Sequence, residues 1–227
     1  MVIVVTGGIG SGKSEVCRMI SSRYGFPVYS ADSRVRRLYD EVPELVDALE
    51  SVLDIVLRDD SGLFRPALLA ERIFSDHEAL KKVEDMVFPY LISDFEDFHS
   101  KNPGNVVFES ATVLEKEFFS DFGDAVVLVD APLEVRVGRA CSRDASDRDS
   151  ILARTDAQPL MNAFSDGSIS RYPEDTPYGR ASGRVTYIIK NDGSLEMLEK
   201  EVSAAVESIL DAKRLPDDQV PATNKEQ

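Results

Sequence analysis

The feature that most constrains the fold is a glycine-rich run that directly follows the apolar residues 2–5. It reads GGIGSGKS over residues 7–14 and fits the pattern G-x-x-x-x-G-K-[ST]. Glycines let the backbone turn so that successive N–H groups can point at a phosphate. The helix expected after the run adds its positive N-terminal end. The run therefore predicts a strand–loop–helix unit that binds a nucleoside triphosphate.

Each residue type in this run has a predicted role at the triphosphate. Lys13 supplies a full positive charge, and the Ser14 hydroxyl is a candidate ligand for Mg²⁺. We expect ATP and Mg²⁺ to be bound together here. The predicted ATP-binding residues are Gly8, Gly10, Ser11, Gly12, Lys13, Ser14 and Glu15.

Charge and composition exclude several function classes. The 227 residues are 43% hydrophobic and 30% charged, which is typical of a globular protein with one substantial core. The net charge of −15 argues against a nucleic-acid or membrane-surface partner, since either would favour a basic face. The same charge repels polyphosphates, so we expect the few basic residues to cluster at the triphosphate site.

The cysteines and the apolar runs bear on location. Cys17 and Cys141 give no disulfide framework and suit a reducing compartment. No apolar run approaches the length of a membrane span, and residues 2–5 are too few for a signal peptide. The sequence thus predicts a cytoplasmic protein, and it leaves the oligomeric state unknown.

Apolar runs and helical periodicity alternate along the chain. Strands are predicted at 2–5, 26–29, 106–108, 125–129 and 185–189. Helical segments are predicted at 15–24, 34–57, 66–98 with a break near Pro89, 132 onward, and 195–209. This alternation indicates an α/β fold of three layers around a five-stranded parallel sheet.

The same pattern divides the chain into functional parts. The predicted nucleotide-binding core comprises 1–33, 102–143 and 184–212, and a helical acceptor-binding insertion spans 34–101. Residues 144–183 lose periodicity and are interpreted as a lid with an inserted segment, either mobile or disordered. Residues 213–227 are expected to form a flexible tail.

Two classes of nucleotide protein compete for this pattern. A GTPase would need an N-K-x-D run, which is absent, and the D-x-x-G match at 59–62 follows no predicted strand. A kinase needs an acceptor pocket, a base for the acceptor hydroxyl and basic residues over the transferring phosphoryl group. Asp32 fits the base, and Arg139 with Arg143 fit the basic residues, so the kinase interpretation uses more of the chain.

Further runs carry a resemblance to a known family. After the phosphate loop come Ala31-Asp32 with Arg36, the run 60–63 with Arg65, 69–74, 109–115, 131–136 with Arg139, Arg143 and Asp144, then Arg154, Gln158 and 189–193. With this ordered set, over about residues 1–210, the chain resembles the dephospho-CoA kinase family. The loop alone is shared by many families, whereas the whole set is far more specific.

The resemblance implies an activity and a set of roles. ATP would phosphorylate the ribose 3′-hydroxyl of dephospho-CoA, the last step of coenzyme A synthesis. It implies catalytic roles for Lys13, Asp32, Arg139 and Arg143, and substrate-binding roles for Asp32, Arg36, Arg65 and Glu109.

Simpler interpretations of these residues remain open. Asp32 could cap a helix, and the two arginines could form a solvated helix face. Arg65 could be a surface charge, and Arg36 could be structural. Glu109 could support a bound metal through another ligand, or be an acid that merely ends a strand.

The chain also departs from the family pattern in three places. Phe88 stands where the family usually has histidine, Ser30 replaces the first acid of an Asp-Ala-Asp run, and the segment 159–183 is longer than usual. These departures leave two alternatives. One is a kinase for another nucleotide-like alcohol, and the other is a nucleotide-binding protein without transfer activity.

Overall fold

A single parallel sheet forms the centre of the molecule. The computed structural model describes residues 1–74, 76–164 and 176–214. The strands lie in the order β2-β3-β1-β4-β5, and every neighbouring pair is parallel. Their bounds are β1 Val2–Thr6, β2 Val28–Ser30, β3 Val106–Glu109, β4 Ala125–Asp130 and β5 Tyr187–Lys190. The predicted five-stranded parallel sheet is confirmed.

Helices cover both faces of this sheet. Their bounds are α1 Lys13–Tyr24, α2 Ala31–Glu41, α3 Pro43–Leu53, α4 Pro66–Phe74, α5 His77–Lys101, α6 Leu133–Asp144, α7 Arg148–Asp156, α8 Pro159–Phe164, α9 Pro177–Arg184 and α10 Leu195–Arg214. Apolar side chains of α1 and α10 pack with one face of β1, β3 and β4. Side chains of α2–α5 pack with the other face, which completes three layers. In the described part of the chain, no helix is both long and apolar enough to cross a membrane.

The predicted break near Pro89 is wrong. Helix α5 runs without interruption through Pro89 for 25 residues. A proline in a helix removes one N–H donor and crowds the carbonyl four residues earlier, at a cost of about 3 kcal/mol. Here Pro89 is exposed, so water can satisfy the disturbed carbonyl. The opposite face of α5 is buried in the core by Ala79, Val83, Val87, Leu91 and Phe95, and this burial offsets the cost.

The segment 144–183 is more regular than its sequence suggested. It contains α7, α8 and α9, which have nine, six and eight residues. Helices this short show little periodicity, and local caps define their starts instead. Asp147 accepts the Ser150 N–H at 2.9 Å, and Thr176 Oγ1 accepts the Gly179 N–H at 3.1 Å. The rest of the predicted inserted segment, residues 165–175, lies outside the described residues, as does most of the predicted tail, residues 215–227.

Candidate active site

The phosphate loop connects β1 to α1 and is packed closely from behind. Gly10 and Gly12 have φ values of 74° and 99°, in the left-handed region that favours glycine. A Cβ at Gly10 would overlap the backbone of Arg136, and a Cβ at Gly12 would overlap Asn191 Nδ2. Gly12 is also the N-cap of α1 and has no side chain to accept the first N–H groups of that helix. The loop is therefore a cradle of backbone donors that an anion can occupy.

Two side chains to which the sequence assigned no role hold this loop in shape. Buried Asn191, just after β5, donates from Nδ2 to the Ser11 carbonyl at 2.8 Å. Gln158, between α7 and α8, accepts the Ile9 N–H on Oε1 at 2.9 Å. Both are distant from the loop in sequence. The available signal was that Asn191 lies just after a predicted strand, at the edge of the sheet where parallel strands end.

Lys13 and Ser11 have different environments within the loop. The Lys13 ammonium donates to the Gly8 carbonyl at 3.4 Å. Burial lowers the pKa of Lys13, while the nearby charges of Asp32 and Glu109 act to raise it. Ser11 is fully buried and its N–H donates to the Gly8 carbonyl at 3.1 Å, so it shapes the loop through its backbone.

Ser14 lies against an acidic strand end. Its hydroxyl donates to Glu109 Oε1 at 2.7 Å, and Glu109 is the last residue of β3. A hydroxyl oxygen beside a carboxylate oxygen is a donor set suited to a hard cation such as Mg²⁺. Among the described residues, no group of three or more His, Cys, Asp or Glu side chains could hold a metal by itself. Any cation here would need further oxygens from the nucleotide or from water.

Asp32 lies in the first turn of α2 but does not cap it. The N-cap of α2 is Ser30, and Asp32 follows two residues later. Asp32 is exposed to the cleft, yet the protein atoms around it partly desolvate the carboxyl, and this desolvation raises its pKa. Lys13 lowers that pKa, and the neighbouring Glu109 raises it. A hydrogen bond from the Ala111 backbone also favours the charged form.

One cleft of about 850 Å³ joins these groups. The described residues that line it are Ile9, Gly10, Lys13, Asp32, Arg36, Phe74, Ala111, Thr112, Arg143, Asp144, Ala153, Arg154, Ala157 and Gln158. Four of them are basic and two are acidic, in a chain whose net charge is −15. The predicted clustering of basic residues at the triphosphate site is confirmed.

Asp144 organises two of the cleft arginines. It accepts a hydrogen bond from Arg143 Nε at 2.6 Å and one from Arg154 Nη1 at 2.7 Å. The two guanidinium groups hold the pKa of the Asp144 carboxyl well below its usual range. The carboxylate therefore keeps both arginines at the mouth of the cleft.

Three predicted site residues lie elsewhere. Arg139 donates to the Asn191 carbonyl at 3.0 Å, behind the phosphate loop and away from the described cleft lining. Arg65 forms an exposed ion pair with Asp59, and Glu15 pairs with Arg18 on α1. The structure thus brings Lys13, Asp32, Arg36 and Arg143 together, with Ser14 and Glu109 beside them.

Three arginines of α6, spaced three and four residues apart, lie in three different environments. Arg136 is 1% exposed beneath the loop, and burial lowers its pKa while Asp130 opposes that shift. Arg139 bonds to Asn191, and Arg143 reaches the cleft. A spacing of three and four residues places side chains on one face of a helix, but different tertiary partners then separate them.

Comparison with known proteins agrees with this geometry. The family model for dephospho-CoA kinase matches residues 1–163. The chain belongs to the dephospho-CoA kinase family. A dephospho-CoA kinase of Porphyromonas gingivalis is 34% identical to this kinase over 175 residues, which cover 75% of this chain and 86% of the relative. The Thermus thermophilus enzyme is 31% identical over 91% of this chain and 90% of its own. The crystal structure of TT1252 from Thermus thermophilus aligns with a TM-score of 0.71 at 30% identity, over 92% of this chain and 97% of that one.

Phe88, at the position where the resemblance leads us to expect histidine, has a packing role in this kinase. Its ring lies 5.3 Å from that of Phe118 and 4.9 Å from that of Phe119, measured between centroids. It lines no part of the described cleft. The Phe88 ring therefore contributes apolar packing at a position outside the described cleft lining.

Proposed function

We propose that this kinase transfers the γ-phosphoryl group of ATP to the ribose 3′-hydroxyl of dephospho-CoA, giving coenzyme A and ADP. The observation that carries the proposal is that Lys13 and Asp32 line the same cleft. Lys13 belongs to the loop proposed to bind the triphosphate. Asp32 supplies a carboxylate that can accept a hydrogen bond from an alcohol. Family membership supports dephospho-CoA as the acceptor.

On the donor side, the loop N–H groups and Lys13 hold the β- and γ-phosphates. Phosphoryl transfer depends mainly on positioning and on neutralising charge. Because Lys13 is largely removed from water, its charge acts on the phosphates with little screening. Arg143 and Arg154 lie across the cleft, where they can neutralise the phosphate oxygens during transfer.

Ser14 and Glu109 fit a magnesium site. Ser14 is the residue that would ligate the ion, and Glu109 would orient the hydroxyl and any bound water. If Ser14 and Glu109 held a divalent cation there, its charge would offset the negative charge of the phosphates during transfer. Before nucleotide binds, the 2.7 Å hydrogen bond keeps the Ser14 oxygen at the N-terminus of α1.

On the acceptor side, Asp32 orients the 3′-hydroxyl and accepts its proton as transfer proceeds. A raised pKa makes this carboxylate a better base than an ordinary aspartate. Arg36 lies one turn further along α2 and lines the same cleft, where it can bind an acceptor phosphate. The transition state is loose, so alignment contributes as much as basicity.

The division of labour along the chain is also part of the proposal. Residues 34–101 would hold the acceptor, residues 144–183 would cover the phosphates, and the remaining core would bind ATP. Arg36 supports the first assignment, while Arg154 and Gln158 support the second. The partners proposed are small molecules, and the free thiols of Cys17 and Cys141 support a cytoplasmic location.

A coupled ADP-release assay tests the reaction. The protein is supplied with ATP, Mg²⁺ and either dephospho-CoA or a panel of nucleosides and nucleotides. Of the acceptors tested, we expect only dephospho-CoA to give rapid ADP release. Analysis of the product should show a 3′-phosphate. Turnover only with another acceptor would overturn the substrate assignment, and ATP binding without turnover with any acceptor would overturn the kinase activity.

A further inference from the structure

Phe74 is an exposed aromatic side chain inside the cleft. It is the last residue of α4, and 82% of it is exposed. A single exposed apolar side chain is ordinary on a protein surface, so exposure alone carries no function. The position of this one is informative, because it lines the same cleft as Asp32 and Arg36.

The other groups around the cleft differ sharply in character from Phe74. Of the described lining residues it is the only aromatic one, and most of the rest are charged, small or polar. The neighbouring exposed side chains Val56 and Leu68 line a separate groove beside Asp76. Phe74 is thus set apart from that apolar strip and placed among charged groups that suit phosphates.

The layer that carries Phe74 indicates which substrate it meets. Helix α4 belongs to the α2–α5 layer, whereas α1, with the phosphate loop at its N-terminus, packs on the other face of the sheet. Asp32 and Arg36 also lie on α2, in the same layer as Phe74. The ring therefore lies on the same side of the sheet as Asp32 and Arg36, the residues proposed above to meet the acceptor.

We propose that Phe74 is a stacking platform for the adenine ring of the acceptor. This inference rests on the proposed function and names the part of dephospho-CoA that the residue binds. The reacting 3′-hydroxyl and the adenine belong to one nucleoside, so the hydroxyl at Asp32 places the base a short distance away. Stacking would bury the exposed Phe74 ring and align the ribose at the same time.

The absence of tryptophan from the 227 residues allows a direct binding test. Phe74→Trp introduces a single tryptophan at the proposed platform, and Val56→Trp introduces one outside the cleft as the matched control; excitation near the red edge of the absorption band selects tryptophan over the tyrosines. We expect saturable quenching of the first variant by dephospho-CoA and not by 4′-phosphopantetheine, which lacks adenine. The control should respond to neither ligand.

Three results would overturn the platform: no quenching by dephospho-CoA, equal quenching by 4′-phosphopantetheine, or quenching by ATP alone. The last result would mean that Phe74 serves the donor base. Fluorescence quenching measures binding and needs no turnover, so it is independent of the ADP-release assay. If dephospho-CoA quenched Phe74→Trp but the wild-type protein released no ADP, the proposed reaction would be refuted and the proposed binding site would remain.

Steady-state kinetics give a second, independent readout. Phe74→Ala should raise the KM for dephospho-CoA about tenfold, while the KM for ATP stays within about twofold. Phe74→Tyr keeps the ring and should restore the KM for dephospho-CoA. An unchanged KM in Phe74→Ala, or equal rises for both substrates, would contradict an acceptor-specific platform.

Discussion

The donor and acceptor sides of the cleft are built in different ways. On the donor side, the loop 7–14 offers backbone N–H groups, and its glycines lie so close to Arg136 and Asn191 that a side chain would not fit. On the acceptor side, the groups are the side chains of Asp32, Arg36 and Phe74, which come from two helices and face open space.

This difference determines how each half can change. Donor recognition depends on the path of the main chain, which most substitutions in the loop would block. Acceptor recognition depends on separate side chains that can be replaced one at a time without moving the sheet. A substitution that disturbs the loop should therefore weaken the binding of ATP as a whole. A substitution on the acceptor side should remove only the contribution of the residue that is changed.

Asp32→Asn should produce the largest effect on the acceptor side. We expect kcat to fall by at least about a hundredfold, because an amide cannot accept the hydroxyl proton. ATP affinity should be retained, since the donor cradle is untouched. Stopped-flow or coupled ADP release measures kcat, and equilibrium dialysis measures ATP binding.

Two controls separate this loss from unfolding. Asp40→Asn changes an exposed carboxylate near the end of the same helix and should leave kcat unchanged. Desolvation disfavours the charged form of Asp32, so removing that charge should not lower the melting temperature. A near-normal kcat in Asp32→Asn would show that Asp32 has no catalytic role and is only a structural residue in the first turn of α2.

The pH profile should locate the same group. Desolvation raises the pKa of Asp32, so kcat/KM should fall as the pH drops through that raised pKa, about tenfold for each unit below it. The acid limb should therefore begin at a higher pH than an ordinary aspartate would give. Asp32→Asn should lose this limb, and an unaltered limb in that variant would assign it to another group.

The phosphate loop is the part of the cleft that sequence reasoning describes most directly. All eight loop residues are contiguous, and their chemistry follows from their order, so the sequence alone was enough to place Lys13 and Ser14. Asp32 was expected near the loop because the ends of parallel strands meet at one edge, and Asp32 and Lys13 do line one cleft. Arg139 was expected beside Arg143, but helical spacing specifies a face and not the partner that Asn191 provides.

The supports of the loop were beyond such reasoning. Gln158 lies 149 residues from Ile9, and only the tertiary path of α7 and α8 brings the two together. The continuation of α5 through Pro89 was missed for a related reason. Local propensity predicts a break there, and burial of the opposite helix face overrides it.

Gln158→Leu tests whether the donor side behaves as a unit. The substitution leaves the Ile9 N–H without its acceptor, which costs about 1 kcal/mol for a partly buried group and should lower kcat/KM for ATP about fivefold. Amide hydrogen exchange at Ile9 should speed up. The KM for dephospho-CoA should be unchanged.

Gln158→Glu is the matched variant, since it keeps a side-chain oxygen that can accept from Ile9. Slow exchange at Ile9 should return in this variant, while the added negative charge should raise the KM for ATP. Equal exchange rates in the wild type and both variants would show that Gln158 does not hold the loop.

Arg65→Ala should have the smallest effect of these substitutions on the KM for dephospho-CoA. Comparison with Arg36→Ala tests which arginine binds the acceptor. Arg36 lines the cleft, so its removal should raise the KM for dephospho-CoA about tenfold. Arg65 is engaged in an exposed pair with Asp59, so its removal should change that KM about twofold or less. Parallel titrations of the acceptor at saturating ATP measure both values.

If Arg65→Ala instead matched Arg36→Ala, Arg65 would have to leave Asp59 and bind the acceptor, as the family resemblance implies. The acceptor side would then extend beyond the described cleft, to the turn that precedes α4.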